Sequence, residues 1–144
     1  MTATLGRLRA RLGDAESGMV TAFVVIFTLA LLLMAGLVVD GGLALAAKAQ
    51  AIDDAQAAAR AGAQAIDIPT YRATGQITLD PAQATADAQH YLAAAGHTGT
   101  VSVNGEQVTV TVTISQPTQI LDLAGIDHLT ETGTGTATAE QGNG

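Results

Sequence analysis

Residues 19–39 read MVTAFVVIFTLALLLMAGLVV, and the fold of the 144-residue chain turns on them. The charge-free stretch that contains them is longer: 23 residues separate Glu16 from Asp40, and Thr21, Thr28 and Gly36 are the main breaks in the apolar run. At 1.5 Å per helical residue the stretch spans about 34 Å, matching a hydrocarbon core of about 30 Å. A helix that is apolar on every side needs either lipid or a large protein core around it. The remaining sequence holds too little apolar surface to wrap one. The reading is a single transmembrane helix limited by Met19 and Val39.

The flanks give its direction. Arg7, Arg9 and Arg11 precede the run, whereas the first basic residue after it is Lys48. The positive-inside bias therefore places the N-terminus in the cytoplasm and everything after Asp40 outside. Residues 1–18 carry three Arg against Asp14 and Glu16, net +1, and residues 40–144 carry three basic against eleven acidic groups, net −8; the two give the chain's −7. An Arg-rich start, an apolar run and Ala44-Leu45-Ala46 also have the layout of a cleaved signal peptide. The run exceeds the usual apolar region of about 7–15 residues, however, and the Ala pattern continues past the cut. A retained anchor is the primary expectation; a secreted binding module released after Ala46 is the alternative.

Composition narrows the function. Hydrophobic residues make up 48% of the chain, but aromatics only 3%, and 29 of the apolar residues are Ala. Few aromatics and a net negative charge argue against a nucleic-acid partner. The absence of Cys removes disulfides, thiolate metal sites and cysteine nucleophiles.

Beyond the span, residues 43–66 are mostly Ala, Gln and Leu, strong helix formers, and continue the membrane helix. Gly41 and Gly42, each costing about 1 kcal/mol against Ala in a helix, predict a bend or loosened turn at the bilayer exit. Ala44, Ala47, Ala51, Ala55, Ala58 and Gly62 recur at helical spacing and line one face, on which another backbone approaches closely. That backbone belongs to the chain's own domain or to a neighbouring subunit. Ile68-Pro69 ends the segment, and residues 69–79 read as a loop with Gly75. Asp80-Pro81 gives an N-cap and first-turn proline for a second helix up to Gly96, with Ala84, Ala88, Tyr91, Leu92 and Ala95 as its buried face. After Gly99 the period changes to two. Residues 100–103 and 106–115 form strands around an Asn104-Gly105 turn, with Val108, Val110, Val112 and Ile114 on one face and threonines on the other. Pro117 breaks the strand, residues 120–123 form a short turn, and residues 129–139 form a third strand weakened by Gly133 and Gly135.

The predicted class is α+β, pilin-like in outline: a long N-terminal transmembrane helix continuing into an extracytoplasmic helix, then a second helix and a small three-stranded antiparallel sheet. The segments are a basic cytoplasmic stub (1–18), the span (19–39), an Ala-rich helical extension (40–68), a small α+β domain (69–139) and a flexible tail (140–144).

No constellation for catalysis stands out, and the expectation is a protein that is not an enzyme, with no cofactor, metal or small-molecule substrate. His90, His97 and His128 lack the spacing of a helical metal site and read as solvated. Asp53 and Asp54 diverge by about 100° around the helix. Glu106 and Glu131 are candidate cross-strand neighbours without a nearby base. Asp40 reads as an interfacial charge that stops the span from sliding.

The stretch from Gly13 to Ile66 resembles the N-terminal segment of TadE/TadG-like proteins of the tight-adherence (Flp) pilus-assembly system. The resemblance rests on Gly18 before the apolar run, on Gly-Leu-Val-Val-Asp-Gly-Gly at 36–42 with Asp40, Gly41 and Gly42, on Gln50, and on Asp54-Ala55 leading to Ala-Gly-Ala at 61–63. It implies a single-pass pseudopilin-like protein of the bacterial cell envelope, serving a type IV-like pilus or related secretion assembly. Its partners would be other pilus-assembly or pseudopilin subunits and the lipid bilayer. Relatives similar to minor pilins are cut by a prepilin peptidase after a glycine, here Gly18, and carry Glu five residues on. This chain has Phe23 there, which points to a permanently anchored assembly factor over a fibre subunit.

Overall fold

In the computed structural model, the backbone is described for residues 3–140 and the side chains for residues 18–140. The tail expected at 140–144 lies, beyond Glu140, outside the described residues, as do the side chains of the basic stub before Gly18.

One helix, α1, runs Ala3–Gly62; its 60 residues extend about 90 Å. From Met19 to Val39 every large apolar side chain is 47–75% exposed. This segment is long and apolar enough to cross a membrane. The helix runs unbroken through Gly41 and Gly42, contrary to the bend the two glycines predict. Buried residues on either side, Asp40 and Ala44, hold the chain in register there, so the small propensity cost of two glycines is outweighed.

The helix stops at Gly62, earlier than Ile68-Pro69 suggests. A Cβ on Gly62 would lie 2.7 Å from the Ala84 carbonyl oxygen, so the next helix crosses close over it. The chain then turns, and Ile66 bridges to Leu79 in antiparallel fashion. The 69–79 loop of the sequence reading is in part a helix: α2, Ile68–Thr74. Asp67 caps it, accepting from the Thr70 backbone N–H at 3.0 Å and the Thr70 hydroxyl at 2.6 Å. Pro69 sits in the first turn, where its missing N–H is not needed, and Gly75 ends the helix at φ 74°. Helix α3, Pro81–Ala94, is capped in the same way by Asp80, which accepts from the Ala82 and Gln83 N–H groups. Its buried stripe is Ala84, Ala88 and Leu92, one residue per turn. Tyr91 and Ala95, expected on that face, lie on its flank and are exposed.

Three strands, β1 (Gly99–Asn104), β2 (Gln107–Pro117) and β3 (His128–Thr138), form an antiparallel sheet in the order β1-β2-β3. Asn104 pairs with Gln107, so the hairpin loop is Gly105-Glu106, one residue later than the Asn-Gly reading. Gly105 supplies the positive φ, 59°, that the first loop position of a II′ turn demands. Val108, Val110 and Val112 are fully buried on one face against α1, while α3 packs on α1 and on β1. Thr109–Thr136, Thr111–Thr134 and Thr113–Thr132 pair across the other face, hydroxyls 3.4–3.5 Å apart, open to solvent. Among the described residues the large buried apolar side chains are few, Leu79, Leu92 and the three valines, and alanine fills most of the remaining core.

Candidate functional site

A core of alanines needs the backbones themselves to come together, and β3 shows how. Gly133 and Gly135 sit on its inward face opposite Val112 and Val110. A Cβ on Gly133 would fall 2.3 Å from the backbone of Ala51 and Ile52, and one on Gly135 2.3 Å from the backbone of Gln56. Neither glycine has a positive φ. Glycine is required here for space, not for conformation, and the strand lies directly on the helix. The glycines that seemed to weaken the third strand are what seats it. Ala51, Ala55 and Ala58 are fully buried and Ala44 and Ala47 nearly so. The small-residue stripe of α1 is thus occupied by the chain's own sheet and by α3.

The stripe begins further down than its alanines indicate. Gly36 and Asp40 extend it at i, i+4 spacing, and both are buried. Ile120 lies across Gly36, where a Cβ would meet its Cγ2 at 2.5 Å. Asp40 is 1% exposed. Its carboxylate accepts three backbone N–H groups: Gln119 on Oδ1 at 2.7 Å, and Ile120 and Leu121 on Oδ2 at 3.0 and 2.7 Å. These three amides lead into a 3₁₀ turn, Leu121–Ala124, whose opening N–H groups have no carbonyl partner of their own. Asp40 is therefore not a free interfacial charge. It ties the β2–β3 connection to the helix, one residue beyond the apolar run. The connection is closed on itself: the Thr118 N–H donates to the Asp127 carbonyl at 3.0 Å, Ile126 to Leu121 at 3.1 Å and Gly125 to Asp122 at 2.8 Å.

Burial pushes the Asp40 carboxyl upward, but the N–H groups of Leu121, Gln119 and Ile120 together pull harder, and it rests below the usual carboxylate range. Asp67 is lowered too, through the Thr70 hydroxyl and then the Thr70 N–H. A depressed folded-state value means stability present above the unfolded value, about 3.9, and lost as pH falls through the folded one. Acidification below about pH 4 should destabilise the domain, and Asp40→Asn should flatten that acid limb in melts recorded against pH. An unchanged limb would count against the tie.

The other singled-out positions divide. Asp54 lies against His97, Oδ2 2.9 Å from Nδ1, a close ion-pair contact without hydrogen-bond geometry between two partly buried side chains. His97 is thus a contact between the α3–β1 connection and α1, not the solvated loop histidine that its neighbouring glycines suggest. Lys48 donates from Nζ to the Thr132 carbonyl, fixing the middle of β3 to the helix. Gly18, Gly41 and Gly42 face open space, and Gln50 is exposed. Glu131 pairs with Ile114 and Glu106 sits in the hairpin loop at the other end of the sheet, so the two are not neighbours.

The apolar span, the buried Gly36–Asp40 pair and the alanine seam all fall within one stretch of α1. That stretch has relatives. Residues 18–65 match the family described as Flp pilus-assembly TadE/G-like. The TadE/G-like segment covers a third of the chain and ends where the helix gives way to the first turn of the small domain. No curated protein and no solved structure matches the chain. The match links residues 18–65, not the whole chain, to Flp pilus-assembly proteins, and the long apolar helix is a candidate membrane span.

Proposed function

We propose that this protein is a single-pass, permanently anchored assembly component of a tight-adherence (Flp) pilus or related secretion machine. Its N-terminus is cytoplasmic, its sheet domain extracytoplasmic, and it works by helix packing and protein contacts rather than by catalysis. The observation that carries this reading is the coincidence of the TadE/G-like segment with the long apolar helix. The occupied alanine seam adds a constraint: contacts with pseudopilin-like partners fall to the exposed part of α1 and to the threonine face. Retention of the span is favoured because a cut after Ala46 would remove Asp40, the acceptor of three domain N–H groups.

Deleting the protein in its host should abolish or sharply reduce assembled pili, and a photo-crosslinker at Ile26, in the exposed span, should capture another pilus-assembly subunit identified by mass spectrometry. Normal pilus levels on deletion would sink the assignment. Leu32→Arg, costing about 2.5–3.5 kcal/mol at mid-span, should shift the chain out of the membrane fraction. An unmoved distribution would remove the span. The chain has no Cys, so single-cysteine labelling has no background. An impermeant maleimide should modify Thr136→Cys in intact cells whose outer barrier has been opened, and leave Thr4→Cys unmodified. The reverse pattern would invert the orientation.

A further inference from the structure

The connection that seats on Asp40 has a second side. Ile120 faces the helix over Gly36, but Leu123 is 87% exposed and Ile126 45% exposed. We propose that this connection dips Leu123 and Ile126 into the outer interface of the bilayer that α1 crosses, giving the domain a second, monotopic membrane contact beside the span. The inference rests on the membrane reading of residues 19–39.

Three observations point to lipid as the occupant. The first is level. Gly36 lies inside the apolar run, one helical turn or about 6 Å below Asp40, so the connection already reaches the depth of the span's outer end. The second is continuity. Leu37 and Val38, 62% and 75% exposed, carry the apolar belt of the helix up to that level, and the exposed Leu123 and Ile126 belong to the connection that meets the helix there. The third is backbone satisfaction. A segment that approaches hydrocarbon is spared the cost of unsatisfied polar groups when its backbone is paired internally. The N–H groups of Gln119, Ile120 and Leu121 are held by Asp40, and those of Thr118, Leu123, Gly125 and Ile126 by carbonyls of the same connection. Asp122 and Asp127, both exposed, limit the depth to the headgroup region. Interfacial elements bury apolar side chains by about 5–10 Å, the reach of one such turn.

The chain has no Trp, so a single introduced one reports alone. The full chain carrying Leu123→Trp is reconstituted in phosphatidylcholine vesicles whose acyl chains are brominated near the carbonyl or near the methyl end. Leu29→Trp in mid-span and Gln107→Trp at the far end of the sheet serve as references. Leu123→Trp should emit to the blue of Gln107→Trp and be quenched more by shallow than by deep bromines, with the opposite depth order for Leu29→Trp. Emission and quenching like those of Gln107→Trp, with Leu29→Trp still quenched, would overturn the interfacial contact while leaving the span intact. A blue shift without bromine quenching would mean that protein, such as a second copy, covers the position, and would also overturn it. Failure to quench Leu29→Trp would remove the span and the proposal together.

Discussion

Gly135→Val is expected to lower the stability of the sheet domain by about 3 kcal/mol or more, at or beyond the upper end of ordinary overpacking. For a domain of this size that corresponds to a fall in Tm of roughly 12–24 °C, read from circular dichroism melts of the full chain in detergent. Even the Cβ would fall 2.3–2.5 Å from the Ala55 and Gln56 backbone. Backbone inside a long helix does not step aside as a flexible side chain would, so the strand must lift and open the valine core beneath it. Thr136→Val, on the exposed face of the same strand, should change stability by no more than about 0.5 kcal/mol. Equal effects from the two substitutions would mean that β3 does not lie on the helix as described.

Asp40→Ala is expected to free the β2–β3 connection while the sheet stays folded. Three N–H groups at 2.7–3.0 Å lose a charged acceptor at once. Their replacement partners are water or, near a bilayer, nothing. Amide hydrogen exchange at Gln119, Ile120 and Leu121 should accelerate by at least about tenfold. The amides of Val108, Val110 and Val112 should keep their protection. Asp40→Asn keeps one acceptor oxygen and should fall between. Unchanged exchange at the three amides would refute the tie. A collapse of protection at the valines would show that Asp40 supports the whole domain.

The elements with a strong period were legible in sequence: the apolar helix, α3 with its Asp80-Pro81 start, and the alternating Val/Thr strands. Asp67-Ile68-Pro69 carries nearly the same helix-start signal as Asp80-Pro81. It reads as a stop because the proline follows a helix already in progress, and one residue pair serves as both an ending and a beginning. Gly133 and Gly135 read only as weak points of a strand, although a strand glycine is also a mark of close backbone approach. Their partner on α1 is some 80 positions away, and no local pattern connects the two. Asp40 lay on the alanine stripe at i−4 from Ala44, but an acidic residue beside an apolar run looks like a boundary charge when its acceptor role depends on amides at 119–121. His97 is the same case, since its partner Asp54 sits on another element. In each instance the residue was in view and the distant half of the contact was not.

Along β3, two residues advance about 6.6 Å, and four residues of α1 advance about 6 Å. Gly133 over Ala51 and Gly135 over Ala55 keep that step. With Asp40 fastened below and Gly62 closed off above, the domain and the outer half of the helix have no joint between them. A screw motion imposed on the apolar end of the helix would therefore be carried to the sheet unchanged. Advancing the helix by one residue along its own groove would lift the sheet about 1.5 Å and swing its threonine face through about 100°. A neighbouring subunit would meet a different surface after each step.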